Sequence, residues 1–194
     1  LESGAKADIV ESHVALDVGA CYLTNAITEI AVGENAALHL YKLIHESNEG
    51  YHLATTKVRV DRGGSFKSHA ISQSGKIIRN EVGVQLDGEG AHTSLHGLYM
   101  TSGDQLVDNP TAIEHAKPHC TSWIGYKGVL DDKSHAVFSG KVFVHRVAQK
   151  TDSNQLNQNM LLSDKATIDT KPLLEIFADD VKCTHGATVG RPPE

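Results

Sequence analysis

The chain is expected to be all-β, on three observations. Apolar and polar residues alternate with period two in segment after segment, as in Leu38-His39-Leu40-Tyr41, Val58-Arg59-Val60-Asp61, Val82-Gly83-Val84-Gln85-Leu86 and Val142-Phe143-Val144-His145. Successive side chains on a strand point to opposite faces, so each segment reads as a half-buried strand. Helical periodicity is nearly missing: only Asn109 to His115 offers a short turn of it, with little support. No proline precedes Pro110, which suits long backbone pairing in which every N–H is used.

The strands are punctuated by small, polar turns. These fall at Gly33-Glu-Asn-Ala-Ala37, Arg62-Gly-Gly-Ser65, Gly88-Glu-Gly-Ala91, Asp131-Asp-Lys-Ser134 and Ser163-Asp-Lys-Ala166. Their spacing is about 25 to 30 residues, or roughly twice 20 where one copy is degenerate, and repeats of this size belong to solenoids. Built from strands, such a solenoid is a β-helix, with Val58, Val60, Val82, Val84, Val142 and Val144 aligned inside. A β-sandwich shows the same alternation, and periodicity does not separate the two. After Lys171-Pro172 come the apolar Leu173, Leu174, Ile176 and Phe177, followed by a polar, charged stretch from Asp179 to His185.

Composition narrows the function classes. With 194 residues the chain suffices for one domain with a substantial core, and with four Phe and one Trp that core must be mainly aliphatic. A net charge of −6 argues against nucleic acid, whose phosphates call for a basic face. No run of eighteen apolar residues suggests a membrane span. The first residues, Leu1-Glu-Ser-Gly-Ala-Lys-Ala-Asp8, show neither the basic nor the apolar region of a signal peptide, and without an initiator Met the chain reads as a fragment or a processed form. Cys21, Cys120 and Cys183 are odd in number and widely spaced, which fits no disulfide framework and suggests a reducing compartment.

Two groups of residues carry possible chemistry. Cys183 and His185 stand two apart, so on a strand both project from one face, roughly 6.6 Å apart at about 3.3 Å per residue, while Thr184 faces away. Thiolate and imidazole both ligate iron or zinc; the plain alternative is a small buried thiol beside a solvated histidine. Gly186 next to them leaves the backbone room for a close approach. The second group is His115, His119 and Cys120. A helix would put both imidazoles on one face, but Pro118 disfavours it, so this segment is assigned to packing or an interface rather than to metal. No GxSxG, Walker A, HExxH or GxGxxG pattern is present. Asp179 and Asp180 are adjacent, so on a strand they point to opposite faces and cannot flank one bond; they read as a charged strand end or turn.

The string from Asn159 to Gly190, with its Val181-Lys-Cys-Thr-His-Gly186, resembles the C-terminal core signature of the SufB/SufD family of SUF iron–sulfur cluster scaffold subunits, on its SufD side. Val107-Asp-Asn109, His115-Ala-Lys-Pro-His-Cys-Thr-Ser122, Tyr126-Lys-Gly-Val-Leu130, Val137-Phe-Ser-Gly-Lys141 and Ala148-Gln-Lys-Thr-Asp152 follow the same family in the same order. The resemblance implies a right-handed parallel β-helix, with residues 1–190 forming the core domain and 191–194 opening a following region. It implies a non-enzymatic scaffold for a transient iron–sulfur cluster, with His185, joined by Cys183, contributing to a site shared with a SufB-type partner. Only His185 is expected as a metal ligand in its own right, and the isolated chain is expected to bind no cluster tightly. Partners would be a SufB-type subunit, or a second copy in a homodimer, with a SufC-type ATPase docking through other regions. The compartment would be the bacterial cytoplasm or the plastid stroma. The rival classes are a β-helical enzyme acting on acidic polysaccharide, which would need secretion and clustered carboxylates, and a purely structural homodimer.

Overall fold

A computed structural model describes residues 1–192; the last two residues of the segment 191–194, expected to open a following region, lie outside the described residues. The chain folds into thirteen strands. They are β1 (Lys6–Val14), β2 (Leu23–Val32), β3 (Ala37–His45), β4 (Tyr51–Val60), β5 (Ser65–Ser74), β6 (Ile77–Leu86) and β7 (His92–Thr101). The rest are β8 (Leu106–His115), β9 (Thr121–Leu130), β10 (His135–Val144), β11 (Asp152–Leu161), β12 (Thr167–Ile176) and β13 (Lys182–Gly190). Among the described residues there is no helix, so none that is long and apolar enough to cross a membrane.

Odd-numbered strands form one sheet in the order β1-β3-β5-β7-β9-β11-β13, and even-numbered strands form the other, β12-β10-β8-β6-β4-β2. Each strand pairs in parallel with the strand two places on, so the chain winds as a flattened parallel β-helix of about six coils. Lys6, Ala37, Ser65, His92, Thr121, Asp152 and Lys182 stand in one row, giving coils of 27 to 31 residues. Parallel sheets are usually covered on both faces and read as unbroken apolar runs. Here each sheet covers the other on one face and meets water on the opposite face, which explains the period-two alternation. Pro110 lies inside β8 where a helical turn was conceivable. The β6–β8 ladder skips from Arg79↔Asp108 to Val82↔Thr111 at that point, where proline has no N–H to donate.

The inner faces pack as rows of like residues. Val58, Val60, Val82, Val84, Val142 and Val144 are all buried, as the alternation requires. In two rows a tyrosine stands beside a glycine: Tyr126 on β9 lies against Gly97 of β7, and Tyr99 of β7 against Gly128 of β9, each ring occupying the space a Cβ would take. Towards β11 the inner row turns polar, with Ser153, Gln155, Asn157 and Asn159 all buried. Asn157 donates to the Tyr99 hydroxyl at 3.1 Å and Asn159 donates to Asn157 at 2.7 Å.

Candidate functional site

β13 is the edge strand of its sheet. It pairs on one side with β11, and among the described residues no strand lies on its other side. In that register Cys183 continues the inner row Ser122–Ser153, and His185 continues the row Ile124–Gln155. Both residues therefore stand on the inward-facing side of the last coil, as their spacing predicts. Cys183 is half-buried and packs against the core, whereas His185 is exposed. Burial first, and then the neighbouring Asp152 carboxylate, push the Cys183 thiol up from its ordinary pKa, so it is protonated at neutral pH and a weak metal ligand as it stands. Beneath His185 the Gln155 amide donates to the Gly140 carbonyl at 3.2 Å, while its own Oε1 is buried without a partner. Gly186 does not occupy the left-handed region, and a Cβ there would meet only Leu156, at an ordinary 3.5 Å.

The second group separates. His115 ends β8 and is fully buried, its Nε2 2.8 Å from the Ser122 hydroxyl, which in turn donates to Ser153 at 2.8 Å. Burial lowers its pKa to about 4. Cys120 is buried, with its thiol directed at the Gly88 carbonyl 3.2 Å away. His119 is turned outward at the corner between them, at φ 59°. These are packing and corner roles, in line with the assignment made from Pro118. What the spacing could not reveal is that His115–Ser122–Ser153 forms a buried hydrogen-bonded file ending one ladder step below Cys183. Ser122 and Ser153 are ordinary strand serines in the sequence, and only the 31-residue register joins them.

Asp179 and Asp180 lie in the bend between β12 and β13, both exposed, with Asp180 paired to Lys150. The three cysteines are unpaired. Elsewhere an open trough of about 1000 Å³ runs along the outer face of the even-numbered sheet, passing over Gly83 and Ala112 between Lys57 and Lys141.

Fold and site together define a parallel β-helix whose last coil presents an imidazole and a thiol at an unpaired sheet edge. Over residues 1–194 the chain matches the family described as SUF system FeS cluster assembly, SufBD core domain, and it belongs to that family. It is 38% identical over 191 residues to the iron-sulfur cluster assembly protein SufD of Escherichia coli, covering 98% of this chain and 45% of that protein. It is 33% identical to an iron-sulfur cluster assembly SufBD family protein of Synechocystis, covering 98% of this chain and 44% of the relative. It is 36% identical to the chloroplastic protein ABCI7 of Arabidopsis thaliana, covering 97% of this chain and 40% of the relative. The chain thus spans less than half the length of these curated relatives.

Proposed function

We propose that the chain is the β-helical core of a non-catalytic SufD-like scaffold subunit, and that it lends His185 to an iron–sulfur cluster assembled against a SufB-type partner. The observation that carries this reading is the open last coil, where an exposed imidazole stands on an inner row beside an unpaired strand edge. A protein that keeps a cluster permanently supplies four ligands, typically Cys. This coil offers one imidazole and one protonated thiol, a set suited to sharing a cluster and passing it on. In this reading Cys183 assists only when a partner or a metal draws off its proton. A SufC-type ATPase docks through other parts of the subunit. The bacterial and chloroplastic relatives make the bacterial cytoplasm or the plastid stroma the proposed compartment.

A purely structural homodimer is the second reading, favoured by the apolar Leu173, Ile176, Phe177 and Val189, all exposed on the last coil. The two separate in a His185→Ala variant co-purified with a SufB-type subunit and reconstituted with iron and sulfide without oxygen. A ligand role predicts intact pairing and an unchanged melting temperature with cluster yield reduced at least tenfold. Wild-type yield in that variant would overturn the assignment of His185, and a yield falling only in step with lost pairing would favour the structural reading.

A further inference from the structure

At the opposite end of the β-helix a second set of ligand-type side chains converges. His13 on β1, Glu46 just after β3 and His52 on β4 each bring one donor atom within 4.8 Å of the others, and among the described residues no other such group of three is found. The fold puts them there because the corner between β1 and β2 stacks on the corner between β3 and β4, as the bond from the Tyr51 N–H to the Tyr22 carbonyl marks.

The surroundings resemble a metal centre more than a packed corner. His52 is fully buried, and its Nδ1 lies 2.8 Å from Glu46 Oε1. This contact sets two donor atoms at the spacing of neighbouring ligands around one ion, which would displace the proton they share, whereas Nε2 points away from Glu46. Tyr22 donates to the other oxygen of Glu46 at 2.5 Å, and Glu11 lies 2.6 Å from His13 Nε2. Carboxylates and hydroxyls in these positions hold ligating groups in place and raise the basicity of a ligating imidazole. The charges are also suitable. The buried Lys42 ammonium sits 3.7 Å from Glu11 and offsets one carboxylate, leaving the second negative charge uncompensated. An open cleft of about 340 Å³, lined by His13, Tyr22, Thr24 and Glu46, brings solvent to two of the three residues, with His52 buried behind them.

We infer that His13, Glu46 and His52 form a binding site for a divalent first-row transition metal ion. Two imidazoles and one carboxylate with open positions suit Fe(II), Mn(II), Co(II) or Zn(II) and lack the thiolates that hold clusters. The site is separate from the last coil: β1 and β13 are the two ends of a seven-stranded sheet, six spacings or roughly 29 Å apart at about 4.8 Å each. It does not depend on the cluster reading.

The test is anaerobic calorimetry of the full chain with Co(II), Fe(II) and Zn(II), together with the absorption spectrum of the Co(II) form. One equivalent is expected to bind, with d–d bands and no thiolate-to-cobalt charge-transfer band. A Cys183→Ser/His185→Ala double variant should bind equally well. His13→Gln, the mildest change because this ring is partly exposed, and Glu46→Gln should each weaken binding tenfold or more, with far-ultraviolet circular dichroism showing the fold retained. Glu11→Gln, which only loosens the His13 ring, should weaken it by about tenfold. Failure of the wild-type chain to bind any of the three ions would overturn the proposal. So would unchanged affinity in folded His13→Gln and Glu46→Gln, or loss of binding in the Cys183/His185 variant.

Discussion

His115 is the residue whose chemistry the sequence hides most. It was singled out for its spacing to His119 and Cys120, yet its environment is set by residues seven and thirty-six positions away, Ser122 and Thr151. A fully buried imidazole is held neutral because the charged form would lose its hydration, and here burial brings the pKa to about 4. The unfolded chain takes up this proton near pH 6.5 and the folded chain only near 4, so between those values the unfolded state binds more protons. Stability therefore rises with pH across that window; the contribution is complete above about 6.5 and lost as pH falls towards 4. At about 1.4 kcal/mol per pKa unit the whole effect is of order 3 kcal/mol. Urea midpoints from pH 7 down to pH 4 should fall for the wild-type chain, and a His115→Gln variant should lose a large part of that slope. Parallel slopes for the two proteins would show that His115 is not the group responsible.

At the scale of the strand and its corner, one backbone device recurs. Gly4, Asn35, Gly63, Gly90, His119 and Lys150 all have positive φ, and all stand at the same corner of successive coils. Each donates its N–H to a carbonyl of the next coil: Gly63 to Glu89, Gly90 to Pro118, His119 to Gln149. The β-helix thus turns this corner through one left-handed residue per coil without breaking its hydrogen-bond ladder. Three of the six positions are not glycine, and for L residues this region costs about 1–2 kcal/mol. Gly90→Ala isolates that cost, because a Cβ at Gly90 meets nothing within 4 Å. It should destabilise by about 1–2 kcal/mol in urea denaturation. His119→Gly should stabilise by roughly 0.5 kcal/mol, the strain relieved less the extra unfolded-state entropy of glycine. Equal stability of all three proteins would mean that the corner is not strained.

The same corner explains how far the coil repeat could be read. The turns at Gly33, Arg62 and Gly88 lie on this side of the coil, whereas those at Asp131 and Ser163 lie on the other, where β9 passes to β10 and β11 to β12. Between Gly88 and Asp131 the series changes sides, which is why one interval is too long. The corners that were missed contain His115 to Cys120 and His145 to Thr151, where Pro118, His119 and Lys150 replace the glycine signal. Strands and inward valines were legible because one-sided burial forces alternation. The parallel pairing was not, since antiparallel sheets alternate in the same way and only the family resemblance chose between them. Of the candidate sites, Cys183 and His185 were legible because both lie within one strand. His13, Glu46 and His52 were not, since three different elements supply them and none carries a local motif.

For the whole molecule, the decisive asymmetry is between its two ends. The group at the first corners is the more buried, with Glu46 bonded to Tyr22, His13 beside Glu11 and the His52 imidazole fully buried. The pair on the last coil is open, with His185 exposed and Cys183 held as a thiol by burial and Asp152. Of the other two cysteines, Cys120 is buried two coils away, with its thiol pKa raised chiefly by burial, and Cys21 is exposed beside the first corner. No rearrangement short of unfolding gathers these thiols around one cluster, because the register of the sheets fixes Cys120 and Cys183 in different coils. Four cysteine ligands therefore cannot come from these residues. The expectation is that anaerobic reconstitution of the chain alone, followed by gel filtration, leaves far less than one cluster per chain, whatever iron remains at the first corners. Adding a SufB-type partner before reconstitution should raise sulfide and iron together in the complex, and His185→Ala should remove that increase. A stoichiometric cluster that survives gel filtration on the lone chain would contradict the shared site, and the last coil would then have to supply more than it presents in this structure.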